Sequence, residues 1–441
     1  MGRRALIAGL AVLLAVTSAD AAGRKAHKGG GAFTSSVGLN KGLTFHAPLT
    51  DPANPSTIYT GTGPFTFTRA HDATHTATYL HPTTGLVTTA SAGQLRIEAG
   101  GAVLEDAGTN IAQNTASLTG PFWSYLNTTI STTDNTIAPD GTLTAVKVKE
   151  TNASSFIGII TQRETTPGKY THSAYIKAAE RTAAVLELND TVNIADVLVD
   201  LTDCSTSNGP FAEGAITDKT FGALALDNGW CRVWVTATHV DQTGQPLLRL
   251  WLTDTPNHQG DNTAGLYVWG VMMSAGGLQS YIPNPADVTA MSRNADVLTF
   301  PTASNVDDTA GTISFTVELS DTVDVHGWIS GEAHRPIYSQ AVSGTGDLHY
   351  YDGTNNALFG LSDVVAKTPA KWAIRYGGVT IDVYKDGSPL QYVRTFDGDY
   401  DFGSFMRVGA DALGRYLGGH MKNLRVWNRA LSDAEMKALT Q

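Results

Sequence analysis

Charged residues are scarce in this sequence, and basic residues are the scarcer kind. Only 16% of its 441 residues are charged, and 41 acidic against 30 basic residues give a formal net charge of −11. No run of basic residues occurs after Lys28. Because a protein that binds a phosphate backbone needs clustered Lys and Arg to displace counterions, we expect no nucleic-acid partner.

Catalytic signatures are missing as well. The sequence has no G-x-S-x-G, H-E-x-x-H, P-loop or Rossmann pattern. It also lacks an E-x-D-x-E pattern, which would place two carboxylates on one strand face about 5 Å apart, as a retaining glycoside hydrolase requires. Glu318 and Asp321 are three residues apart and so point to opposite faces of a strand. We therefore expect no enzymatic activity, with carboxylates converging from separate loops as the open alternative.

Cysteine is limited to Cys204 and Cys231, whose spacing matches no metal site. In an exported protein the two would pair, and closing a loop of this length would contribute roughly 3–4 kcal/mol. As buried thiols they would instead act as small apolar side chains. The sequence leaves both interpretations open.

The longest apolar run lies at the N-terminus. Two arginines precede the apolar residues Ala5–Val16, and small residues follow up to Ala21. This pattern is typical of a signal peptide over residues 1–21, with an uncleaved apolar anchor as the alternative. The Gly-rich residues 22–43 then indicate a flexible linker. We expect a secreted protein.

What the sequence has in quantity is glycine, threonine and short apolar segments. With 45 Gly and few Lys and Glu, it favours turns and strands over helices. Period-two alternation, as in FTFT and QLRIE, indicates half-buried strands. Such segments fill residues 44–107, 108–290 and 291–441, and residues 44–107 are not expected to fold alone.

Two local signals stand out in the last of these segments. Asp386-Gly387 predicts a hairpin, since both residues tolerate the positive φ of a type I′ turn. Ser432 followed by Glu435 forms a capping box, which predicts one short C-terminal helix.

The central segment resembles a carbohydrate-binding-module-like β-sandwich that recurs in bacteriophage tail and virion proteins. After the lead-in VLEDAGTNIAQNTAS, the resemblance is carried, in this order, by APDGTLTAVKVKE (138–150), YTHSAYIKAAER (170–181), NGWCRVWVT (228–236), GLYVWGVMMSAGGLQSYIPN (265–284) and SRNADVLTF (292–300). None of these is a catalytic motif. One departure is that virion proteins of this kind usually have no signal peptide.

The last segment resembles a concanavalin A-like, or laminin G-like, jelly roll. IDVYKDGSPL (381–390) and GHMKNLRVWNRALSDAEMKAL (419–439) carry this resemblance, and GLTFHAPLT (42–50) resembles the first strand of such domains. The two resemblances imply an all-β protein with two antiparallel β-sandwich (jelly-roll) domains in tandem. They also imply that the N-terminal segment completes the C-terminal domain.

Candidate binding residues follow from what sugars need, namely aromatic faces beside polar groups. Five residues in loop-rich stretches of the last segment are glycan-binding candidates: Trp328, His334, Tyr338, Tyr350 and Tyr351. Because neighbours on a strand face opposite sides, either Tyr350 or Tyr351 is expected to point inward. The tryptophans in strand patterns are expected in the core: Trp230, Trp234, Trp251, Trp269 and Trp427.

The family's usual structural ion is calcium, bound by carboxylates and loop carbonyls. Asp397, Asp399 and Asp401 alternate in FDGDYDFG and are the candidate ligands, with a solvated acidic loop as the alternative.

The resemblance implies a non-enzymatic, virion-associated or secreted adhesion protein. Its expected partners are cell-surface glycans and other virion proteins, and a homo-oligomer is compatible with it although no heptad or fibrous repeat requires one. The alternatives are a structural virion decoration without glycan affinity and a secreted glycan-cleaving enzyme of the concanavalin A-like superfamily.

Overall fold

The computed structural model describes residues 39–69, 76–162, 166–189, 193–211, 214, 216–239, 247–285, 290–320, 325–332, 337–342, 345–351, 356–390, 400 and 402–441. Across these residues the chain is nearly all β, with a single 3-10 turn (Asp227–Gly229) and a single α-helix, α1 (Asp433–Thr440). The predicted fold class is confirmed. In the described part of the chain, no helix has the length and apolar character needed to cross a membrane.

The strands fall into three groups along the chain. The first group is β1 (Leu43–Ala47), β2 (Thr66–Thr68), β3 (Thr78–Leu80), β4 (Val87–Thr89), β5 (Ile97–Glu98), β6 (Gly101–Leu104) and β7 (Gly108–Asn110). The second group is β8 (Trp123–Leu126), β9 (Thr128–Ile130), β10 (Val146–Glu150), β11 (Ser154–Phe156), β12 (Gly158–Gln162), β13 (Gly168–Ala178), β14 (Ala183–Asn189), β15 (Ile194–Asp200), β16 (Ser205–Asn208), β17 (Ile216–Leu226), β18 (Trp230–His239), β19 (Leu247–Trp251), β20 (Asn257–Gln259) and β21 (Gly265–Ala275). The third group is β22 (Met291–Arg293), β23 (Val297–Pro301), β24 (Ala310–Leu319), β25 (His326–Ser330), β26 (Ile337–Val342), β27 (Thr345–Tyr351), β28 (Asn356–Val364), β29 (Ala370–Gly377), β30 (Thr380–Lys385), β31 (Ser388–Leu390), β32 (Phe405–Val408) and β33 (Gly419–Trp427).

The second group forms the central sandwich. Sheet I has the strand order β17-β18-β13-β21-β10-β9, and sheet II has the order β16-β15-β14-β19-β12-β8. Alternate residues of both sheets, such as Leu186 and Val235, meet in one buried apolar core. The sandwich follows from the period-two pattern, because each sheet packs one face against the other sheet and turns its second face outward.

The first and third groups form the terminal sandwich together. Sheet III has the order β31-β30-β29-β24-β33-β6-β5, with β1 also paired to β33, and sheet IV has the order β2-β23-β32-β25-β26-β27-β28. Phe45 near the start and Val426 near the end of the chain lie in the same core. Residues 44–107 are therefore not a separate domain, because β1, β2, β5 and β6 all contribute to this sandwich, while the β3–β4 hairpin packs on the central one.

A buried cluster of charges lies where the chain passes between the sandwiches. The Arg96 guanidinium contacts both Glu105 and Asp296, and Arg69 reaches Asp296 at 2.9 Å. Although burial alone would raise the pKa of Glu105, the guanidinium groups of Arg293 and Arg96 hold it well below its usual range. The cluster joins the N-terminal segment to the residues that lead into β23.

The hairpin turn and the helix cap predicted from the sequence are both present. Asp386 and Gly387 have φ values of 44° and 84° between β30 and β31, as the hairpin prediction requires. Ser432 caps α1, accepting from the backbone of Glu435, whose side chain accepts in return from the backbone N–H of Ser432.

Cys204 and Cys231 form a disulfide. Cys204 follows β15 of sheet II and Cys231 lies on β18 of sheet I, so the bond connects the two layers of the central sandwich.

Candidate functional site

The sequence-predicted aromatic residues do not form one exposed surface among the residues the structure describes. Trp328 is 0% exposed on β25, where it packs edge-on against Phe315 and Trp372 in the core of the terminal sandwich. Tyr350 is buried beside Tyr400. Neither ring has a face open to a sugar, because the stretch assigned to loops is in fact buried strand.

The remaining candidates are dispersed. Tyr338 is buried and stacks on His349 with ring centroids 4.8 Å apart. Tyr351 is half-buried, so the more accessible member of the Tyr350–Tyr351 pair is the second one. His334 lies outside the described residues, and so do all three aspartates proposed for calcium, Asp397, Asp399 and Asp401. Within the described ranges, no three His, Cys, Asp or Glu side chains are grouped to hold a metal ion.

A different group of aromatic residues lies on the outer face of sheet II. Phe156 of β11, Phe211 after β16 and Trp251 of β19 form what we call the aromatic patch. Ring centroids are 5.4 Å apart for Phe156 and Trp251, 5.8 Å for Phe211 and Trp251, and 6.4 Å for Phe156 and Phe211. Phe156 is 38% exposed and Phe211 is half-buried, while Trp251 lies beneath them. The patch therefore presents two accessible rings on a buried indole.

The strand register places a row of charges next to this patch. Leu186 and Leu188 of β14 face the core, so Glu187 between them faces outward. Glu187 is directly opposite Asp196 on β15 and Arg249 on β19. Three neighbouring strands thus contribute one continuous charged row beside the aromatic rings.

Glu187 holds the groups around it in position. Its carboxylate accepts hydrogen bonds from Arg249 Nη1 at 2.9 Å, from Trp251 Nε1 at 2.6 Å and from Asn189 Nδ2 at 2.6 Å. The side chain is fully buried. Because every one of these donors is directed at the same carboxylate, the orientations of the indole and of the guanidinium are fixed.

Asp196 fixes the other edge of the patch. Its carboxylate accepts from the backbone N–H of Phe211 at 3.0 Å and lies 3.5 Å from Lys219 Nζ. A Cβ added to Gly209 would come within 2.1 Å of the same carboxylate, so the loop that carries Phe211 approaches closely only because this residue is glycine.

Beneath the sheet, His172 donates from Nδ1 to the backbone carbonyl of Glu187 at 3.1 Å, since a carbonyl can only accept. Burial lowers the pKa of His172 to about 3, outweighing that hydrogen bond. The imidazole is therefore neutral, and it supports the strand without adding charge to the site.

The site offers apolar ring surface with cationic donors at its edge. The Arg249 side chain is 24% exposed and its guanidinium lies 5.8 Å from the Trp251 ring, and the Lys219 side chain is 11% exposed. Arg249 Nε is without a hydrogen-bond partner in the described structure. Both carboxylates are buried and already accept hydrogen bonds, so the groups accessible to a ligand are the rings of Phe156 and Phe211 and the partly exposed Arg249 side chain.

Sequence reasoning assigned Trp251 to the core and did not select the other residues of the site. Trp251 is indeed buried, at 3% exposure, but under the aromatic patch and not between the sheets. A signal was present in the alternation of LELN and LRLW, where polar residues interrupt strands that are otherwise apolar.

No family model matches the sequence, and no curated protein matches it. Among solved structures, the CBM40 of the Ruminococcus gnavus IT-sialidase bound to α2,3-sialyllactose aligns with 31% of this chain and 84% of its own, at 12% identity and a TM-score of 0.25. Domains LG4-5 of the mouse laminin α1 chain align with 64% of this chain and 89% of their own, at 11% identity and a TM-score of 0.21. A Trypanosoma rangeli sialidase aligns with 71% of this chain and 61% of its own, at 10% identity and a TM-score of 0.25. These values assign the chain to no family.

Proposed function

We propose that the protein binds glycans at the aromatic patch and does not cleave them. The observation that carries the proposal is the pair of accessible rings, Phe156 and Phe211, edged by Arg249 and Lys219. Sugars pack the apolar faces of their rings on aromatic side chains and need polar groups for their hydroxyls. The patch supplies both on one face of the central sandwich.

The carboxylates beside the patch support binding over catalysis. Glu187 and Asp196 are neighbours across two strands, which resembles the spacing of a hydrolase pair. A general acid must reach the leaving-group oxygen, however, and a nucleophile must reach the sugar carbon. Both side chains are buried beneath the patch and accept hydrogen bonds from the protein.

The setting in which the protein works is also part of the proposal. A secreted adhesion protein that recognises cell-surface glycans is supported by the Cys204–Cys231 disulfide, since such bonds persist in oxidising compartments. The signal-peptide pattern over residues 1–21 agrees with this, although those residues lie outside the described structure. A virion-associated role, as an adhesin or as a structural decoration, rests on the sequence resemblance alone.

A glycan array tests the proposal, probed with the full chain in the presence of calcium and again after EDTA. We expect binding to a subset of glycans, and a loss of at least about tenfold in affinity in the Phe156→Ala/Phe211→Ala variant. Tyr59→Ala is the matched control, because Tyr59 is a 67% exposed aromatic residue on the terminal sandwich. Loss of binding only on EDTA treatment would direct attention to Asp397, Asp399 and Asp401.

Two results would contradict the proposal. One is the absence of binding to every glycan under both conditions, which would favour a structural role. The other is the release of reducing ends from a bound glycan, which would favour the glycan-cleaving alternative.

A further inference from the structure

A groove runs between the two sandwiches, on the side of the central sandwich opposite to the aromatic patch. It consists of two cavities with volumes of about 270 Å³ and 400 Å³. Both cavities are lined by Glu105, Leu278, Gln279 and Ser320, so they adjoin each other. The larger cavity falls within the range of pockets that hold small ligands, roughly 300–1,000 Å³, and the smaller one lies just below it.

One wall of the smaller cavity comes from sheet I. Val233 and Val235 of β18 face the core, so Arg232 and Trp234 face the groove. A Cβ on Gly222, directly opposite on β17, would lie 2.7 Å from Trp234 Cζ2. The indole therefore lies flat against the backbone of β17, which fixes the wall.

Apolar side chains extend this wall. Leu224 of β17 is 47% exposed, and Leu278 lies at the point where the two cavities join. From the terminal sandwich, Lys367 places its Nζ 4.0 Å from the centre of the Trp234 ring. The ammonium spans the mouth of the groove.

The opposite wall comes from sheet III and is polar. Glu318 of β24 and His420 of β33 are cross-strand partners on its outer face. His420 Nε2 lies 3.0 Å from a carboxylate oxygen of Glu98. The smaller cavity thus brings Glu98 and Glu318 together with Arg232 and Lys367, while the charge of Glu105, which also lines it, is compensated by Arg96 and Arg293. No sign of charge prevails.

The larger cavity repeats this balance. Asp106 and Arg415 face it with one charge of each sign, and Glu105 is again compensated by Arg96 and Arg293. Tyr416 and Gly276 contribute a hydroxyl and backbone polar groups. Balanced charges with both donors and acceptors suit a ligand that is uncharged and rich in hydroxyl groups.

We infer that the groove is a second ligand site and that it takes an uncharged oligosaccharide. Leu224 and Leu278 would contact the apolar faces of the sugar rings, and the charged side chains would bond to hydroxyls, while Trp234, which is buried under Lys367, supports the wall without contacting the ligand. An anionic glycan is disfavoured because no excess of cations faces it, since Glu98, Glu318 and Asp106 offset the basic side chains of the same space. The inference shares a ligand class with the proposed function, but it rests on a different surface.

Chemical labelling of lysine tests where a sugar binds. Lys367 is exposed at the mouth of the groove, so an amine-reactive reagent followed by mass spectrometry reports its accessibility. We expect neutral cello-, xylo- or malto-oligosaccharides to protect Lys367 in the full chain. Oligogalacturonate, as an anionic probe, should leave its labelling unchanged.

A matched pair of leucine substitutions shows that the protection is specific. Leu224→Arg fills the groove from an exposed position that tolerates a longer side chain, and should weaken sugar binding by about tenfold and remove the protection. Leu143→Arg makes the same change at a leucine that is 62% exposed elsewhere on the central sandwich, and should have no effect.

The outcomes separate the two sites. Protection of Lys367 that survives Phe156→Ala/Phe211→Ala but not Leu224→Arg supports a site in the groove, whatever happens at the aromatic patch. Sugar binding that depends only on Phe156 and Phe211, with no protection of Lys367, overturns this inference and leaves the proposed function standing. Protection of Lys367 by extended peptides but by none of the neutral sugars overturns the ligand class.

Discussion

At the scale of the residue, Glu187 is the group on which the aromatic patch depends. It is fully buried, and its charge is balanced by Arg249 while its second oxygen accepts from the Trp251 indole. An isolated buried charge is strongly unfavourable. Removing one member of a buried ion pair therefore destabilises the fold, because the other member is left buried without a partner. A single carboxylate therefore sets both the stability of sheet II and the geometry of the patch.

Replacing Glu187 should destabilise the central sandwich. We expect Glu187→Ala to lower the free energy of unfolding of the central sandwich by about 3–5 kcal/mol, because Arg249 and the indole N–H are left without their acceptor. Glu187→Gln should cost less, since the amide oxygen still accepts one bond. Urea unfolding followed by tryptophan fluorescence measures the change.

Glu180→Ala is the control for that experiment. Glu180 pairs with Lys147 at 2.8 Å, but its side chain is 52% exposed, and a surface pair of this kind contributes about 0–1 kcal/mol. Equal effects at Glu180 and Glu187 would show that Glu187 does not have the structural role assigned to it.

At the scale of the element, the disulfide connects the two sheets of the central sandwich. Cys204 and Cys231 are 27 residues apart in sequence, and closing a loop of that length contributes about 3–4 kcal/mol by restricting the unfolded chain. We expect Cys204→Ser/Cys231→Ser to lower the unfolding temperature of the central sandwich, and a reductant to lower that of the wild type by a similar amount. Calorimetry measures both, and a reductant effect that persists in the double variant would contradict the assignment.

Elements whose signal is local were predictable, and sites assembled from distant strands were not. The turn at Asp386 depends on the adjacent Gly387, and the cap at Ser432 depends on Glu435 three positions on, so the sequence alone specifies them. The aromatic patch joins Phe156, Phe211 and Trp251, whose contact exists only once sheet II has formed. Trp328 was misjudged for the same reason, because its burial depends on the pairing of β25 with β26 and β32.

At the scale of the whole molecule, the two ends of the described part of the chain, which begins at residue 39, meet in one sandwich. β1 and β33 pair although Phe45 and Val426 lie almost at opposite ends of the sequence. Composition divides the chain into consecutive segments and therefore cannot show a domain built from both ends. The resemblance of residues 42–50 to a first jelly-roll strand was the one sequence feature that pointed to this arrangement.

Each sandwich also contains a histidine that folding keeps neutral, which makes the whole molecule sensitive to acid. Burial lowers the pKa of His172 in the central sandwich to about 3, and burial together with Arg425 lowers that of His46 in the terminal sandwich to about 4. Unfolded histidine titrates near pH 6.5. Between pH 6.5 and these folded values the unfolded chain binds more protons, so stability present above about pH 6.5 is lost as the pH falls.

We therefore expect the urea midpoint of each sandwich to drop between pH 7 and pH 4. In the central sandwich, His172 should lower the free energy of unfolding by up to about 1.4 kcal/mol for each pH unit. His172→Met should flatten the pH dependence of the central sandwich and leave that of the terminal sandwich unchanged, and His46→Met should do the reverse. His420 acts in the opposite sense. Although burial favours its neutral form, Glu98 raises its pKa, so its contribution to stability is present at low pH and is lost as the pH rises through its folded pKa. Replacing His420 should therefore make the terminal sandwich lose stability more steeply as the pH falls. A wild-type midpoint that is constant from pH 7 to pH 4, or variants that shift both sandwiches equally, would contradict this account of the buried histidines.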